Sequence, residues 1–187
     1  SDSSGFIHDP AGINKDKLRY VMQLKNEHRG RISEYEKKYP KAKFYSKGKP
    51  WKVACDIAIP CATENELNES DAKILIKNGV IAVAEGANMP CTPEAINAFQ
   101  NSKVLYAPGK ASNAGGVAVS GLEMAQNSLK NTWSRKIVDG KLQEIMTDIH
   151  SSCVEYGKEK SRIDYLKGAN IAGFVKVADA MLAQGVV

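Results

Sequence analysis

Val80-Ile81-Ala82-Val83-Ala84-Glu85-Gly86-Ala87-Asn88 is an apolar run of strand length that opens into a loop of small and amide residues. Before it, Asn68 to Asn78 reads as a helix closed by Gly79. After it, Thr92 caps a second helix whose first position is Pro93. The same unit recurs on either side. Val53 to Pro60 is an apolar run ended by proline, and Val104-Leu105-Tyr106-Ala107 is another, ended by Pro108-Gly109. Strands that are apolar throughout and alternate with short helices predict an α/β fold: a doubly wound parallel sheet with helices on both faces.

Outward from this centre the pattern changes. Ser1 to Asn14 is turn chemistry around a short Phe6-Ile7 piece, and Asn14 caps a helix with Leu18, Val21, Met22 and Leu24 near one face. A basic second helix reaches Tyr39, where Pro40 stops it, and Lys47-Gly48-Lys49-Pro50 is a loop. Beyond Gly116 the chain reads as helical, with a long amphipathic stretch from Thr132 to Lys160. A segment broken by Gly168 and Gly173 then leads to a last helix over Phe174 to Ala183. The expected division is a sheet domain over residues 1–130 and a long C-terminal helical region, 131–187, that packs on it and closes it.

The 187 residues are 43% hydrophobic and 25% charged, which excludes a disordered or collagen-like chain and leaves enough length for a core without staples. The four cysteines, Cys55, Cys61, Cys91 and Cys153, form no C-x-x-C pair and read as reduced thiols of a cytoplasmic protein. No apolar run is long enough for a membrane span. Charge is uneven. Lys15 to Lys52 carries thirteen bases against four acids, a local +9 in a chain whose total is +5. Such a block is either a solvated helix face or an anion site for a nucleic-acid backbone or a phosphorylated small molecule.

In open parallel sheets, ligands bind beyond the carboxyl ends of the strands. Each strand end here carries small residues: Pro60-Cys61-Ala62-Thr63, Glu85-Gly86-Ala87-Asn88, and Pro108 to Gly116. They let a flat ligand approach the backbone, while Thr63, Asn88 and Asn113 supply a polar edge. Several sharper motifs fail. Gly109-Lys110 lacks the Ser/Thr and first Gly of a phosphate loop, and no G-x-G-x-x-G is present. His8, His28 and His150 are too scattered for a metal site, and no His neighbours Cys61 or Cys91 to activate a thiol. Asp2-Ser3-Ser4 suits the end of a second strand in a dinucleotide-binding fold, where an acid or hydroxyl meets the adenosine ribose. Ser3 with Lys25, Arg29 and Arg31 would then serve a ribose 2′-phosphate. On this view the sheet is an incomplete Rossmann-like one whose first strand, Gly-rich turn and helix lie before Ser1.

These residues reach a family pattern. The chain resembles the C-terminal, cofactor-binding part of glutamate dehydrogenases, most closely the NADP-linked bacterial type. The resemblance runs through Lys49-Pro50-Trp51, Asp56 to Thr63, Ala84 to Pro90, Ala107 to Lys110, Asn113 to Met124 and Gly168 to Phe174. It implies reversible oxidative deamination of L-glutamate to 2-oxoglutarate and ammonia with NADP as cofactor, in a cytoplasmic homohexamer. It also implies site roles. Asn88 and Asn113 lie near the nicotinamide, Ala62 and Thr63 line the cofactor cleft, and Asp2, Ser3, Lys25 and Arg31 surround the 2′-phosphate. Val117 contacts the substrate side chain, and Ser120 bonds its γ-carboxylate. His28 departs from the Arg that the resemblance leads one to expect, with Arg29 adjacent as a substitute. The family's catalytic Lys and Asp are expected upstream of Ser1, so the isolated chain is expected to be inactive. Two other readings compete. A Leu, Phe or Val dehydrogenase is disfavoured by Ser120, whose hydroxyl would face an aliphatic side chain without a partner. A basic nucleic-acid module would leave the amide-bearing strand ends unexplained, and neither nucleic acid nor membrane is expected as a partner.

Overall fold

The computed structural model describes residues 1–160 and 162–185. Strand β1 (Gly5–His8) pairs antiparallel with β2 (Lys43–Ser46), and helices α1 (Lys15–Asn26) and α2 (Glu34–Lys38) lie between them in sequence. Strands β3 (Ile57–Ala58), β4 (Ala82–Ala84) and β5 (Leu105–Ala107) form a parallel sheet in that spatial order. Helices α3 (Glu69–Lys77) and α4 (Pro93–Gln100) are its crossovers. Four further helices follow: α5 (Gly109–Ser112), α6 (Ala114–Ser128), α7 (Arg135–Gly157) and α8 (Tyr165–Gln184).

Helix starts follow local chemistry. Asn14 Oδ1 accepts the Lys17 N–H at 3.0 Å. Asn68 and Asp71 form a reciprocal capping box at α3, and Thr92 caps α4 with Pro93 behind it. The β1–β2 ribbon was not legible in the sequence. It is held by Phe6 stacked on the opposing Tyr45, ring centroids 4.7 Å apart. Beneath it Asp9 accepts Lys17 Nζ at 2.6 Å and the fully buried Tyr35 hydroxyl at 2.7 Å. These donors, Lys17 foremost, hold the Asp9 carboxyl below its ordinary range.

In the parallel sheet, Ala58, Val83 and Tyr106 lie in register and are buried against Leu75 of α3 and Phe99 of α4, with Leu166 of α8 joining the same cluster. The opposite face differs from expectation. Ile57 is 60% exposed, Ile59 58% and Leu105 48%, so the described helices cover one face of the sheet rather than both. At the start of β4, the central strand, the N–H groups of Ile81 and Ala82 both reach the Asp56 carbonyl, at 2.8 and 3.2 Å. Ile81 turns outward there.

The expected break at Gly168 and Gly173 is also corrected. Helix α8 begins at Tyr165 and runs through both glycines. A side chain at Gly168 would strike the Cys153 carbonyl of α7, and one at Gly157 the Asp164 carbonyl. The glycines let α7 and α8 pack backbone to backbone; they do not end a helix. All four cysteines are free, Cys91 and Cys153 buried, Cys55 partly buried and Cys61 exposed. No helix among the described residues is long and apolar enough to cross a membrane.

Candidate functional site

The carboxyl ends of β3, β4 and β5 converge on a cavity of about 570 Å³. Ala62, Thr63, Asn88, Asn113 and Val117 line it together with Cys61. Five residues singled out in the sequence thus meet at one place, from three loops and the start of α6. Ser120 is not among the lining residues. It lies on α6 one turn beyond Val117, and its hydroxyl donates to the Gly116 carbonyl at 3.3 Å.

Each lining loop is pinned from behind. The Ala62 N–H donates to Glu66 Oε1 at 2.8 Å, which folds the loop after β3 back on itself. The Ser112 hydroxyl donates to the Glu85 carbonyl at 2.6 Å. Asn113 Nδ2 donates twice at 2.9 Å, to the Ala87 carbonyl and to Asn88 Oδ1. The two amides therefore form a linked pair, and their remaining polar atoms, Asn88 Nδ2 and Asn113 Oδ1, make no bond among the described residues. Both residues line the cavity, so they leave it a donor group and an acceptor. The remaining ionisable lining group besides Cys61 is Glu64, on the loop after β3.

A second constellation sits at the start of the chain, where the sequence placed Asp2, Ser3, Lys25 and Arg31. The structure brings all four together. Arg31 Nη1 donates to Ser3 Oγ at 2.8 Å, both residues being exposed. Asp2 faces inward. Its Oδ1 accepts the Ser4 N–H at 2.9 Å and the Ser4 hydroxyl at 2.6 Å, and its Oδ2 accepts Lys25 Nζ at 2.8 Å and the Ile32 N–H at 2.9 Å. Burial alone would raise its carboxyl, but the hydrogen bonds from Lys25, Ser4 and Ile32 outweigh it and hold the group far below the usual range. Two donors on each oxygen fill the carboxylate's acceptor sites, and Lys25 is neutralised by it. The exposed positive group beside Ser3 is Arg31.

The sequence did not single out Glu85 or Glu66 as site residues. Glu85 is a buried carboxylate, 4% exposed, directly beneath the cavity loops. Its signal was available: an acid placed against an apolar strand end, one residue before glycine, where a charge has no solvent of its own.

A family model described as glutamate/leucine/phenylalanine/valine dehydrogenase matches residues 1–185. The chain is 60% identical to a glutamate dehydrogenase of Bacteroides thetaiotaomicron over all of its own length. It is 55% identical to an NADP-specific glutamate dehydrogenase of Escherichia coli and 52% identical to an NAD-specific one of Porphyromonas gingivalis, again over its whole length. It spans 42% of the length of each of these relatives. The crystal structure of Plasmodium falciparum glutamate dehydrogenase superposes on all of the chain with a TM-score of 0.94 at 48% identity, the match covering 40% of that protein. The α/β architecture with its parallel strands is shared with these enzymes, and the chain belongs to the glutamate/leucine/phenylalanine/valine dehydrogenase family.

Proposed function

We propose that this chain is the cofactor-binding part of an NADP-dependent glutamate dehydrogenase, its three parallel strands forming one side of a Rossmann-like sheet. The observation that carries the reading is the amide pair. Asn88 and Asn113, fixed by the double donation of Asn113 Nδ2, present a donor and an acceptor together at the strand-end cavity. That is the complement of a carboxamide, the polar group of a nicotinamide ring. Ala62 and the backbone around Gly86 leave room for a flat ring against the loops.

The constellation at the start of the chain supports NADP over NAD. An acid that recognises an unmodified ribose must accept from its hydroxyl. Asp2 has no acceptor site left, so it acts as a brace that holds Lys25 and the Ile32 amide in place. The exposed Ser3–Arg31 pair offers instead a hydroxyl and a guanidinium, the donor set a phosphate needs.

When bound, the cofactor would supply hydride exchange with the substrate α-carbon, as acceptor in its oxidised form and as donor in its reduced form. The chain's own residues orient the ring through Asn88 and Asn113, with Val117 as an apolar wall of the cavity. Val117 and Ser120 stand three residues apart on one side of α6, so the Ser120 hydroxyl, by exchanging its long bond to the Gly116 carbonyl, can donate to the γ-carboxylate of L-glutamate or 2-oxoglutarate. An aliphatic amino acid has no carboxylate to draw that hydroxyl from the Gly116 carbonyl and gains nothing from it. The cavity's ionisable lining, Cys61 and Glu64, includes no lysine to polarise the substrate, so the chain by itself is inactive. Residues 1–130 hold the cofactor, residues 131–187 close the same domain, and the active assembly is a cytoplasmic homo-oligomer of the longer enzyme, a homohexamer by the resemblance. The test is substrate preference in the active enzyme that carries this sequence. Glutamate turned over well ahead of leucine, with NADP favoured over NAD, supports the proposal; leucine ahead of glutamate overturns it.

A further inference from the structure

Glu85 is the charged residue buried in the described protein, and no Lys, Arg or His among the described residues forms an ion pair with it. Its partners are two backbone amides on different loops. Oε1 accepts the Cys91 N–H at 3.2 Å, and Oε2 accepts the Gly109 N–H at 2.7 Å. Its own N–H donates to the Ala107 carbonyl at 3.1 Å, and its carbonyl accepts the Ser112 hydroxyl. The side chain therefore spans from the loop carrying Asn88 to the turn carrying Asn113. Gly109 is packed so closely that a Cβ there would lie 3.0 Å from the Ala87 carbonyl and 3.2 Å from both Asn113 Nδ2 and Glu85 Oε2.

The two backbone groups bonded to this side chain are donors, as are the Tyr106 hydroxyl and Cys91 thiol that face it. A carboxylate answers both backbone groups, whereas an amide of the same shape would set a donor against a donor on one side. A hydrophobic side chain would leave both amides unbonded. A buried carboxylate without a counter-ion is a costly choice for mere packing, and its placement serves the spacing of two loops.

We propose that Glu85 is a positioning residue that sets the separation of the Asn88 and Asn113 loops, and through it the donor–acceptor edge offered to the ligand. The proposal rests on the assignment of that edge to the nicotinamide carboxamide. The test is Glu85→Gln in the 187-residue chain, followed by NMR of side-chain amides. In the unaltered chain the Asn113 amide protons are both bonded and exchange slowly. In Glu85→Gln they exchange about tenfold faster, the change expected for weakening one hydrogen bond by ~1.4 kcal/mol. A control of matched melting temperature, Leu75→Ala in the core, leaves them slow. Unchanged Asn113 exchange in Glu85→Gln, or equal acceleration in both variants, overturns the proposal. Should Glu85→Gln not fold, the unaltered chain still decides: Gly109 and Cys91 amides that exchange as fast as the exposed loop around them refute the strut. A separate arm addresses the underlying assignment. NADP added to the unaltered chain shifts the Asn88 and Asn113 side-chain signals, and adenosine 2′,5′-bisphosphate, which lacks the nicotinamide, does not. Failure of that arm alone refutes the carboxamide edge while the strut's exchange signature stands.

Discussion

Replacing Arg31 with alanine should separate the two nicotinamide cofactors. The Arg31 guanidinium stands exposed against Ser3 Oγ at 2.8 Å, placed to give a phosphate one charge-assisted hydrogen bond alongside the serine hydroxyl. Such bonds contribute about 1.5–3 kcal/mol, and exposure argues for the lower half of that range, so NADP affinity should fall roughly 10- to 30-fold. NAD, with a hydroxyl at that position, should lose less than about twofold, since no charge is left unpaired. Lys25→Ala should behave differently, although the two residues were paired in the sequence as equal candidates. Lys25 is bonded to Asp2 and to the Gly30 carbonyl, and its loss leaves Asp2, a side chain only 11% exposed, short of its cation. The junction between residues 2–4 and 30–32 should loosen, lowering the melting temperature and weakening NADP and NAD together. Calorimetric titration of both cofactors at one fixed salt concentration, with a melt of each variant, reads all of these quantities. Equal losses of NADP and NAD in Arg31→Ala would refute the reasoning, as would an NADP-selective loss in Lys25→Ala.

Three further outcomes follow from the geometry. Gly168→Ala should destabilise the α7–α8 pair by about 2–3 kcal/mol through overpacking against the Cys153 carbonyl, a melting drop of roughly 5–10 °C; Gly173→Ala, with open space around it, should not. Asp2 and Asp9 both have carboxyls held below their unfolded values, so their contribution is complete above about pH 5 and is lost as pH falls through the depressed folded values. Acid titration of stability should show this loss, and Asp9→Asn should flatten it; an unchanged acid limb would contradict the assignment. Among the thiols, Cys61 is exposed at the cavity, whereas burial, then the Glu85 charge, pushes the Cys91 thiol up, and burial does the same to Cys153. A disulfide reagent at mildly alkaline pH should therefore titrate Cys61 first, and mass mapping that finds Cys91 modified ahead of it would refute this order.

The α/β core was legible because its punctuation is local. Asn68 and Thr92 stand at the starts of the helices read there, Pro60 follows β3, and Pro108 ends β5 and opens the short α5. Features made by tertiary contact were not. Lys43-Phe44-Tyr45-Ser46 is too short to announce a strand by itself, and it is held as one by pairing with β1 and by Phe6 stacked on Tyr45. Gly168 looks like a helix breaker until a second helix is laid against it. The apolar strands suggested helices on both faces, yet Ile57, Ile59 and Leu105 stay at least about half exposed, because strand hydrophobicity records the burial a residue tolerates and not what covers it.

The candidate site shows the same division in chemical terms. Ala62, Thr63, Asn88 and Asn113 were singled out because strand-end loops carry small and amide residues, Val117 came from the family resemblance, and the fold brings all five to one cavity. Asp2 and Glu85 are harder, because an acidic residue in a sequence shows a charge but not how many of its acceptor sites are taken. Asp2 was read as a ribose acceptor, and its four bonds leave it nothing to accept with. Glu85 was read only as the head of a strand-end loop, and its two oxygens hold the amides of Cys91 and Gly109. In both, the carboxylate is bonded to groups of the protein itself and works by fixing neighbours: Arg31 and Ser3 in one case, Asn88 and Asn113 in the other. Substitutions at these acids should therefore alter ligand binding only through those neighbours, and a double variant of Glu85→Gln with Asn113→Ala should lose little more NADP affinity than Asn113→Ala alone. Full additivity of the two losses would show that Glu85 acts by some other route.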